Sequence, residues 1–422
     1  MNIALANYDM KEETLIMKNV TIKRYISYCY YLFCMGKTIV AYLVLHLFMR
    51  KLLHRNIWLI REKRTEARDN GYHLYKYIRT EHPEIEVYYV ITKDSADYKK
   101  VSQYGKTVRA SSFMHYIMWL AAKYSISSQQ NGAVPDPTDV LFRLRALCRK
   151  GQKVIFLKHG IQKDEQSHEF DYQKTGFSLV CCTTKRECDF IRRTYGYPKS
   201  HTLILGLCRF DNLPLNGTPQ KQILIMPTFR SWLTANNREK EATDAEKEKF
   251  LQSSFYCAYS DILSNKEFLD RIGRRGYKIV FYMHYSLQSY VKCFEKYASD
   301  IVIIANRKDY DVQQLLIDSS ILVTDFSSIF FDFAYMGKPE VFYQFDENEY
   351  RKKHYHKGYF DYREDGFGPV ITASDELIEW INDCVDRDAQ IESYYFERIN
   401  SFFDFRDNHN CERTFNAIIE LK

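Results

Sequence analysis

The chain has no C-x-x-C pair, and its 11 cysteines are scattered and odd in number. That argues against a disulfide framework or a zinc site and for a reducing, cytosolic compartment; Cys181-Cys182, inside an apolar run, reads as core. A strong charge of either sign is also lacking. The net charge of +6 over 422 residues suits anionic ligands or an anionic membrane surface and is too small to argue nucleic acid. No basic stripe with interleaved aromatics stands out, so no nucleic-acid partner is expected. No internal repeat or low-complexity segment occurs. A clean apolar run of about 20 residues is missing as well. Tyr25 to Met49 is largely apolar but broken by Lys37, and Arg50, Lys51, His54 and Arg55 follow it. This pattern suits a core helix or a helix lying on a membrane surface better than a spanning one. The start lacks the small-residue cleavage pattern of a secretory leader, so the expected location is the cytoplasmic face of the cell membrane, peripherally bound.

What is present is globular in kind: 45% of residues are hydrophobic, 27% charged and 16% aromatic. The length suits two domains. Short β-rich runs alternate with helical patterns from Asn56 onward. Strands are expected at Asn56–Ile60, Glu86–Ile91, Tyr124–Ser128, Lys153–Leu157, Ser178–Thr183 and His201–Leu205. A second series is expected at Gln222–Met226, Tyr277–Tyr282, Asp300–Ile304, Ile321–Thr324 and Glu340–Tyr343. Strands separated by helices imply right-handed βαβ units, and two series imply an α/β chain of two doubly wound, Rossmann-like parallel-sheet domains. The boundary falls in Asp211–Lys221, where Pro214, Asn216, Gly217 and Pro219 cluster. The expected divisions are an N-terminal apolar and basic helical segment (1–55), two Rossmann-like domains (56–215 and 216–391) and a C-terminal helix crossing their junction (392–422). The mixed-sign run Arg238 to Lys249 reads as a solvated face.

In open parallel sheets ligands bind beyond the carboxyl ends of strands. After Lys153–Leu157 comes Lys158-His159-Gly160-Ile161-Gln162-Lys163. Gly160 permits a sharp turn that presents His159, which reads equally as a proton acceptor or as a polar loop residue without chemistry. Lys158 and Lys163 tilt the balance toward an anionic ligand. Arg230, in Pro227-Thr228-Phe229-Arg230, can fork onto phosphate or stand in an ordinary salt bridge. His284, after Tyr277–Tyr282, is a second strand-end histidine or a satisfied half-buried one. Most informative is ILVTDFSSIFFDFAYMGKP, Ile321 to Pro339. Thr324, Asp325, Ser327 and Ser328 stand between a buried strand and a helix expected over Ile329–Met336. Helix N-termini bind phosphate through free N–H groups, hydroxyls add donors, and Asp325 is expected to cap the helix or orient a neighbouring donor. One such residue suffices for a cap; four suggest an anion site.

Thr324-Asp325-Phe326-Ser327-Ser328, with Phe331-Asp332-Phe333 and Lys338-Pro339 behind it, resembles the signature of the CDP-glycerol glycerophosphotransferase family. These are the teichoic-acid glycerol-phosphate primases and polymerases and related capsule enzymes. The resemblance extends to His159-Gly160, Pro227 to Arg230, Met283-His284-Tyr285, Tyr359 to Tyr362, Gly368-Pro369 and Asp69-Asn70-Gly71. It implies a GT-B-like fold of two Rossmann-like domains around a cleft, acceptor domain first and CDP-donor domain second. The implied reaction moves glycerol phosphate from CDP-glycerol, or ribitol phosphate from CDP-ribitol, to a hydroxyl of a lipid-linked glycan or polyol-phosphate chain, and CMP leaves. His159 and His284 would be catalytic, in roles that can be exchanged. Thr228, Arg230, Thr324, Asp325, Ser327, Ser328 and Asp332 would serve the donor side, and Gly160, Lys163, Asp69 and Asn70 the acceptor side. Lys158 and Ile161 depart from the residues usual beside the His-Gly pair, which bears on acceptor identity. No cofactor or metal is expected; Asp309 and Asp311, though spaced D-x-D, read as a helix cap. The competing reading is a glycosyltransferase of the same architecture that uses a nucleotide sugar.

Overall fold

The computed structural model describes residues 2–166, 168–235, 240–353 and 356–421, with side chains from Tyr25 onward apart from that of His168. Two sheets organise it. The first has β1 (Trp58–Arg61), β2 (Val87–Ile91), β3 (Thr107–Arg109), β4 (Tyr124–Ser127), β5 (Lys153–Phe156), β6 (Leu179–Cys182) and β7 (Thr202–Ile204), in the order β3-β2-β1-β4-β5-β6-β7. The second has β8 (Gln222–Ile225), β9 (Lys278–Tyr282), β10 (Val302–Ala305), β11 (Ile321–Thr324), β12 (Glu340–Tyr343) and β13 (Val370–Ile371), in the order β10-β9-β8-β11-β12-β13. The second sheet is parallel throughout, and so is the first from β3 to β6. Each order reverses direction once, between β1 and β4 and between β8 and β11, the switch point at which doubly wound sheets open a crevice.

Both faces of the second sheet are buried. Ile223, Ile225, Ile279, Phe281, Val341 and Tyr343 face one apolar core, while Leu224, Val280, Tyr282 and Phe342 face the other. That period of two, apolar on both sides, is why these strands read as continuous hydrophobic runs.

By compactness the chain interleaves rather than dividing at a single linker. One unit is 1–159, 175–180 and 415–422; the other is 160–174 and 181–414. The tail forms two helices, Ser393–Phe402 and Asn410–Ile419, rather than one. In the first unit Phe415 stacks on Trp58, with ring centres 5.7 Å apart. Residues 238 and 239 of the mixed-sign run lie outside the described residues. Asp244–Leu251 is a helix opened by a Thr243/Glu246 capping box.

Asn2–Phe48 is one helix. Cys34, Thr38, Ala41 and Leu45, spaced four, three and four apart, turn one narrow stripe inward, and the Phe113–Ala121 helix packs against this helix. Lys37 donates to the Ser111 carbonyl at 2.8 Å and lies 4.5 Å from the centre of the Tyr116 ring. The charge that breaks the apolar run is thus satisfied within the first unit. Leu32, Phe33, Leu43, Leu47 and Phe48 stay exposed. Over Tyr25–Phe48 the helix is long and apolar enough to cross a membrane.

Candidate active site

The loops after β8 and β11 meet at the switch point of the second sheet, and buried polar groups stitch them together. Thr324 Oγ1 donates to the Met226 carbonyl at 2.8 Å. Asp325, wholly buried, accepts the N–H of Thr228 at 2.8 Å and of Phe326 at 2.6 Å through Oδ1. Arg230 closes the knot. Its Nη1 donates to the Thr228 carbonyl at 2.8 Å and lies 2.9 Å from Asp325 Oδ2. Nε and Nη2 fork onto Asp346 at 2.6 and 2.7 Å. Rings of Phe255, Phe326, Phe345 and Tyr350 surround the guanidinium. Burial opposes its charge, but the carboxylates of Asp325 and Asp346 outweigh burial and raise its pKa.

These contacts bear on three residues that the sequence reading left with more than one role. Arg230 does not grip a pyrophosphate: its side chain is 0% exposed and its fork is filled by Asp346. Asp325 does not cap the following helix, which spans Phe330–Tyr335 after an N-cap, Ile329, that makes no side-chain bond. Asp332 is forked by Arg209, with Nε and Nη2 at 2.6 and 2.8 Å, and so takes a supporting place, bracing this short helix to the Cys208–Asn212 turn. Thr324 is also fully buried. What remains at the crevice is Ser327 and Ser328, both half-buried, and Thr228, whose buried Oγ1 has no hydrogen-bond partner.

His284 follows β9, the neighbour of β8. Its Nδ1 accepts the Ser286 N–H at 3.2 Å, and its ring stacks on Phe229 with centres 4.7 Å apart. An amide N–H only donates, so Nδ1 keeps its lone pair and the proton of the neutral ring sits on Nε2. In that form His284 offers a hydrogen bond and takes no proton at Nε2.

The His-Gly segment leaves the first sheet after β5. Leu157 still donates to the Ser127 carbonyl at 2.8 Å, Lys158 is buried with φ of +63°, and His159 is exposed. Gly160 then packs closely, since a Cβ there would lie 3.1 Å from Ser328 Oγ. The chain beyond is pinned. Glu187 accepts the N–H groups of Gln162 and Thr183 at 2.6 and 2.7 Å. Lys163, expected to face an acceptor, is buried and paired with Asp164, which Arg351 reaches at 2.8 Å. Burial works against both Lys163 and Asp164, but the two cations hold the Asp164 carboxyl below its usual range. In the first unit Asp69 caps the Asn70–Glu81 helix, accepting the Asn70 N–H at 2.8 Å. Asn70 is 0% exposed and donates to the Lys158 carbonyl, so it supports the His-Gly segment instead of touching an acceptor.

Sequence reasoning missed Glu62, Asp164, Glu187, Arg209, Asp346 and Arg351. Asp346 lies three residues beyond β12, where strand-end polar residues are worth inspecting, and Glu187 follows the helix-capping Thr184 by three residues. Nothing in the sequence near Arg209 ties it to Asp332. Among the described residues no cluster of His, Cys, Asp and Glu suits a metal ion, and Asp311 caps the Val312–Asp318 helix through the Gln314 N–H at 3.1 Å. A cavity of about 690 Å³ lies at the other, amino end of the second sheet, lined by Lys221, Tyr277, Ser320, Met336 and Lys338.

Two Rossmann-like parallel sheets, the second with a polar crevice at its switch point, define a GT-B-like fold. Residues 42–420 match the family model described as CDP-Glycerol:Poly(glycerophosphate) glycerophosphotransferase, and the chain belongs to that family. It is similar to the minor teichoic acid biosynthesis protein GgaB of Bacillus subtilis, with 31% identity over 91% of this chain and 42% of the relative. The teichoic acid poly(glycerol phosphate) polymerase of the same organism is 23% identical over 83% of this chain and 46% of the relative. The chain thus spans less than half the length of these curated relatives. In fold it is similar to the wall teichoic acid polymerase TagF, at 17% identity and a TM-score of 0.63, over 92% of this chain and 97% of that one. A TagF variant soaked with CDPG gives a TM-score of 0.62 at 16% identity over the same shares.

Proposed function

We propose that the chain moves glycerol phosphate, or another polyol phosphate, from a CDP-activated donor such as CDP-glycerol to a hydroxyl of a lipid-linked or polymeric acceptor. The setting is the synthesis of teichoic acid or a related surface polymer. One observation carries this reading beyond family membership. The β8 and β11 loops at the second switch point leave Thr228, Ser327 and Ser328 as donors, and Gly160 brings the bare backbone beside His159 against Ser328. Those hydroxyls are the donors a phosphate-bearing ligand would meet, and His159 immediately precedes Gly160 in the sequence.

The acceptor oxygen attacks the donor's β-phosphorus as His159 takes its proton. The new O–P bond forms while the bond from that phosphorus to the bridging oxygen breaks, and CMP leaves with the bond's electron pair. His284, whose Nδ1 accepts the Ser286 N–H, offers its Nε2–H as a hydrogen bond to the phosphate oxygens. Alignment and charge stabilisation do most of the work in phosphoryl transfer. The knot of Arg230, Asp325 and Asp346 supplies alignment by holding the two loops rigid.

The N-terminal helix suits a peripheral seat on the cytoplasmic membrane face. Leu32, Phe33, Leu47 and Phe48 offer apolar surface, Lys37 is turned inward, and Arg50, Lys51 and Arg55 follow for anionic headgroups. Carbonate extraction should release the protein from membranes; retention in the pellet would mean a spanning helix. For the reaction, the chain is incubated with a lipid-linked acceptor and CDP-glycerol, CDP-ribitol or a UDP-sugar. CMP release with a CDP-polyol supports the reading, and turnover of the UDP-sugar alone refutes it.

A further inference from the structure

His159 stands one residue beyond a backbone conformation that a lysine enters only when held there. Lys158 has φ of +63°, in the left-handed region where a Cβ meets its own carbonyl, and it is 2% exposed. Strain of this kind persists where the surroundings impose it, and such residues gather at functional sites. On the near side, Leu157 is still bonded into the ladder through the Ser127 carbonyl. On the far side, Gly160 is packed on Ser328. Between them the Lys158 carbonyl accepts the Asn70 amide at 2.8 Å, and Asn70 is fully buried.

Asn70 is itself held firmly. It opens the Asn70–Glu81 helix behind the Asp69 cap. Buried Glu62, just past β1, accepts the N–H groups of Arg68, Asp69 and Tyr72 at 2.9, 3.2 and 2.7 Å. A Cβ on Gly71 would stand 3.1 Å from Glu62 Oε1, so glycine there lets the carboxyl in. The chain of support runs from Glu62 to the helix start, to Asn70, to the Lys158 carbonyl.

We infer that Asn70 is a positioning residue for the reaction proposed above: its amide clamps the Lys158 carbonyl, fixes the left-handed turn and thereby aims His159. The inference rests on that reading for its kinetic test, and on the turn alone for a spectroscopic one. Asn70→Ala removes the donor. Adding Lys158→Gly removes the need for it, because glycine adopts positive φ without help. With CDP-glycerol and a lipid-linked acceptor, Asn70→Ala should lose at least thirtyfold in kcat while KM for the donor stays within twofold. The Asn70→Ala/Lys158→Gly double variant should recover at least tenfold of that loss, although it has lost the same packing. Unchanged kcat in Asn70→Ala, or no recovery in the double variant, overturns the proposal. Should Asn70→Ala not fold, Lys158→Val asks the same question, since a β-branched residue resists positive φ; it should lower kcat about tenfold, and full activity contradicts the clamp.

The ring resonances of His159, in ring-labelled protein and assigned with His159→Gln, give the readout that needs no turnover. They should shift or broaden in Asn70→Ala and return in the double variant; resonances unmoved by Asn70→Ala reject the clamp. If the unsubstituted chain releases no CMP from any CDP-polyol, the functional reading fails while these resonances still decide the clamp.

Discussion

The two ends of the second sheet treat buried charge in opposite ways. At the carboxyl end every buried ion of the crevice has a counter-ion: Arg230 stands between Asp325 and Asp346, Asp332 is forked by Arg209, and Asp164 joins Lys163 to Arg351. At the amino end Glu340, the first residue of β12, is fully buried and neither carboxyl oxygen has a hydrogen-bond partner. Lys338 nearby donates its hydrogen bonds to the neutral carbonyls of Leu316, Ile317 and Ser319 at 2.7–2.9 Å and has no ion pair among the described residues. Paired ions keep their charge and fix loop geometry. A lone buried carboxyl is driven toward its neutral form, and burial alone raises the Glu340 pKa well above the usual value. The end that would meet a charged substrate is the one built from compensated ions.

The largest effect should come from breaking the pairing. Arg230→Met leaves Asp325 and Asp346 buried without their cation, and removal of one partner of a buried pair costs about 3–5 kcal/mol. Urea unfolding should show that loss at neutral pH; a variant as stable as the parent would dissolve the contrast between the two ends. Next comes the lone acid. A carboxyl whose folded pKa lies above its unfolded value contributes its stability in full below the unfolded pKa, and that stability is lost as pH rises toward the folded one. Glu340→Gln should therefore gain on the parent as pH climbs above about 4.5, at roughly 1.4 kcal/mol per pH unit at most. Unfolding at pH 5, 6, 7 and 8 measures the slope, and parallel curves for variant and parent would mean that Glu340 has a partner. The smallest effect sharpens the role of the crevice itself. Ser327→Ala with Ser328→Ala should weaken CDP-glycerol binding by about 0.5–1.5 kcal/mol per lost hydrogen bond, with stability within about 0.5 kcal/mol. Titration calorimetry alongside urea unfolding separates the two.

Eleven of the thirteen strands among the described residues were legible as short apolar runs. The two that were not, Thr107–Arg109 and Val370–Ile371, are edge strands of three and two residues, too short to show a hydrophobic period. The site was legible as a place and less so as a set of roles. Sequence located the polar cluster after β11, yet could not tell that Thr324 and Asp325 turn inward to Met226 and Thr228 while Ser327 and Ser328 stay half-exposed. That split depends on β8 being the neighbour of β11, a pairing of residues about 100 apart. Arg230 stayed open between phosphate fork and salt bridge for the same reason. A strand-end arginine looks like a phosphate fork until Asp346, 116 residues away, is seen to fill it. Asn70 could be read as a site residue from its motif, but its partner, the Lys158 carbonyl, carries no side-chain signal at all.

The central claim is transfer from a CDP-polyol with His159 as base. The most direct measurement is CMP release from CDP-glycerol in the presence of a lipid-linked acceptor, for the unsubstituted chain and for His159→Ala. Loss of a positioned general base is worth about 10²–10⁴-fold. The account predicts CMP release matched by glycerol phosphate appearing on the acceptor, and a fall of that size in His159→Ala with unchanged donor affinity. Turnover undiminished in His159→Ala, or no CMP from either CDP-glycerol or CDP-ribitol, would contradict it.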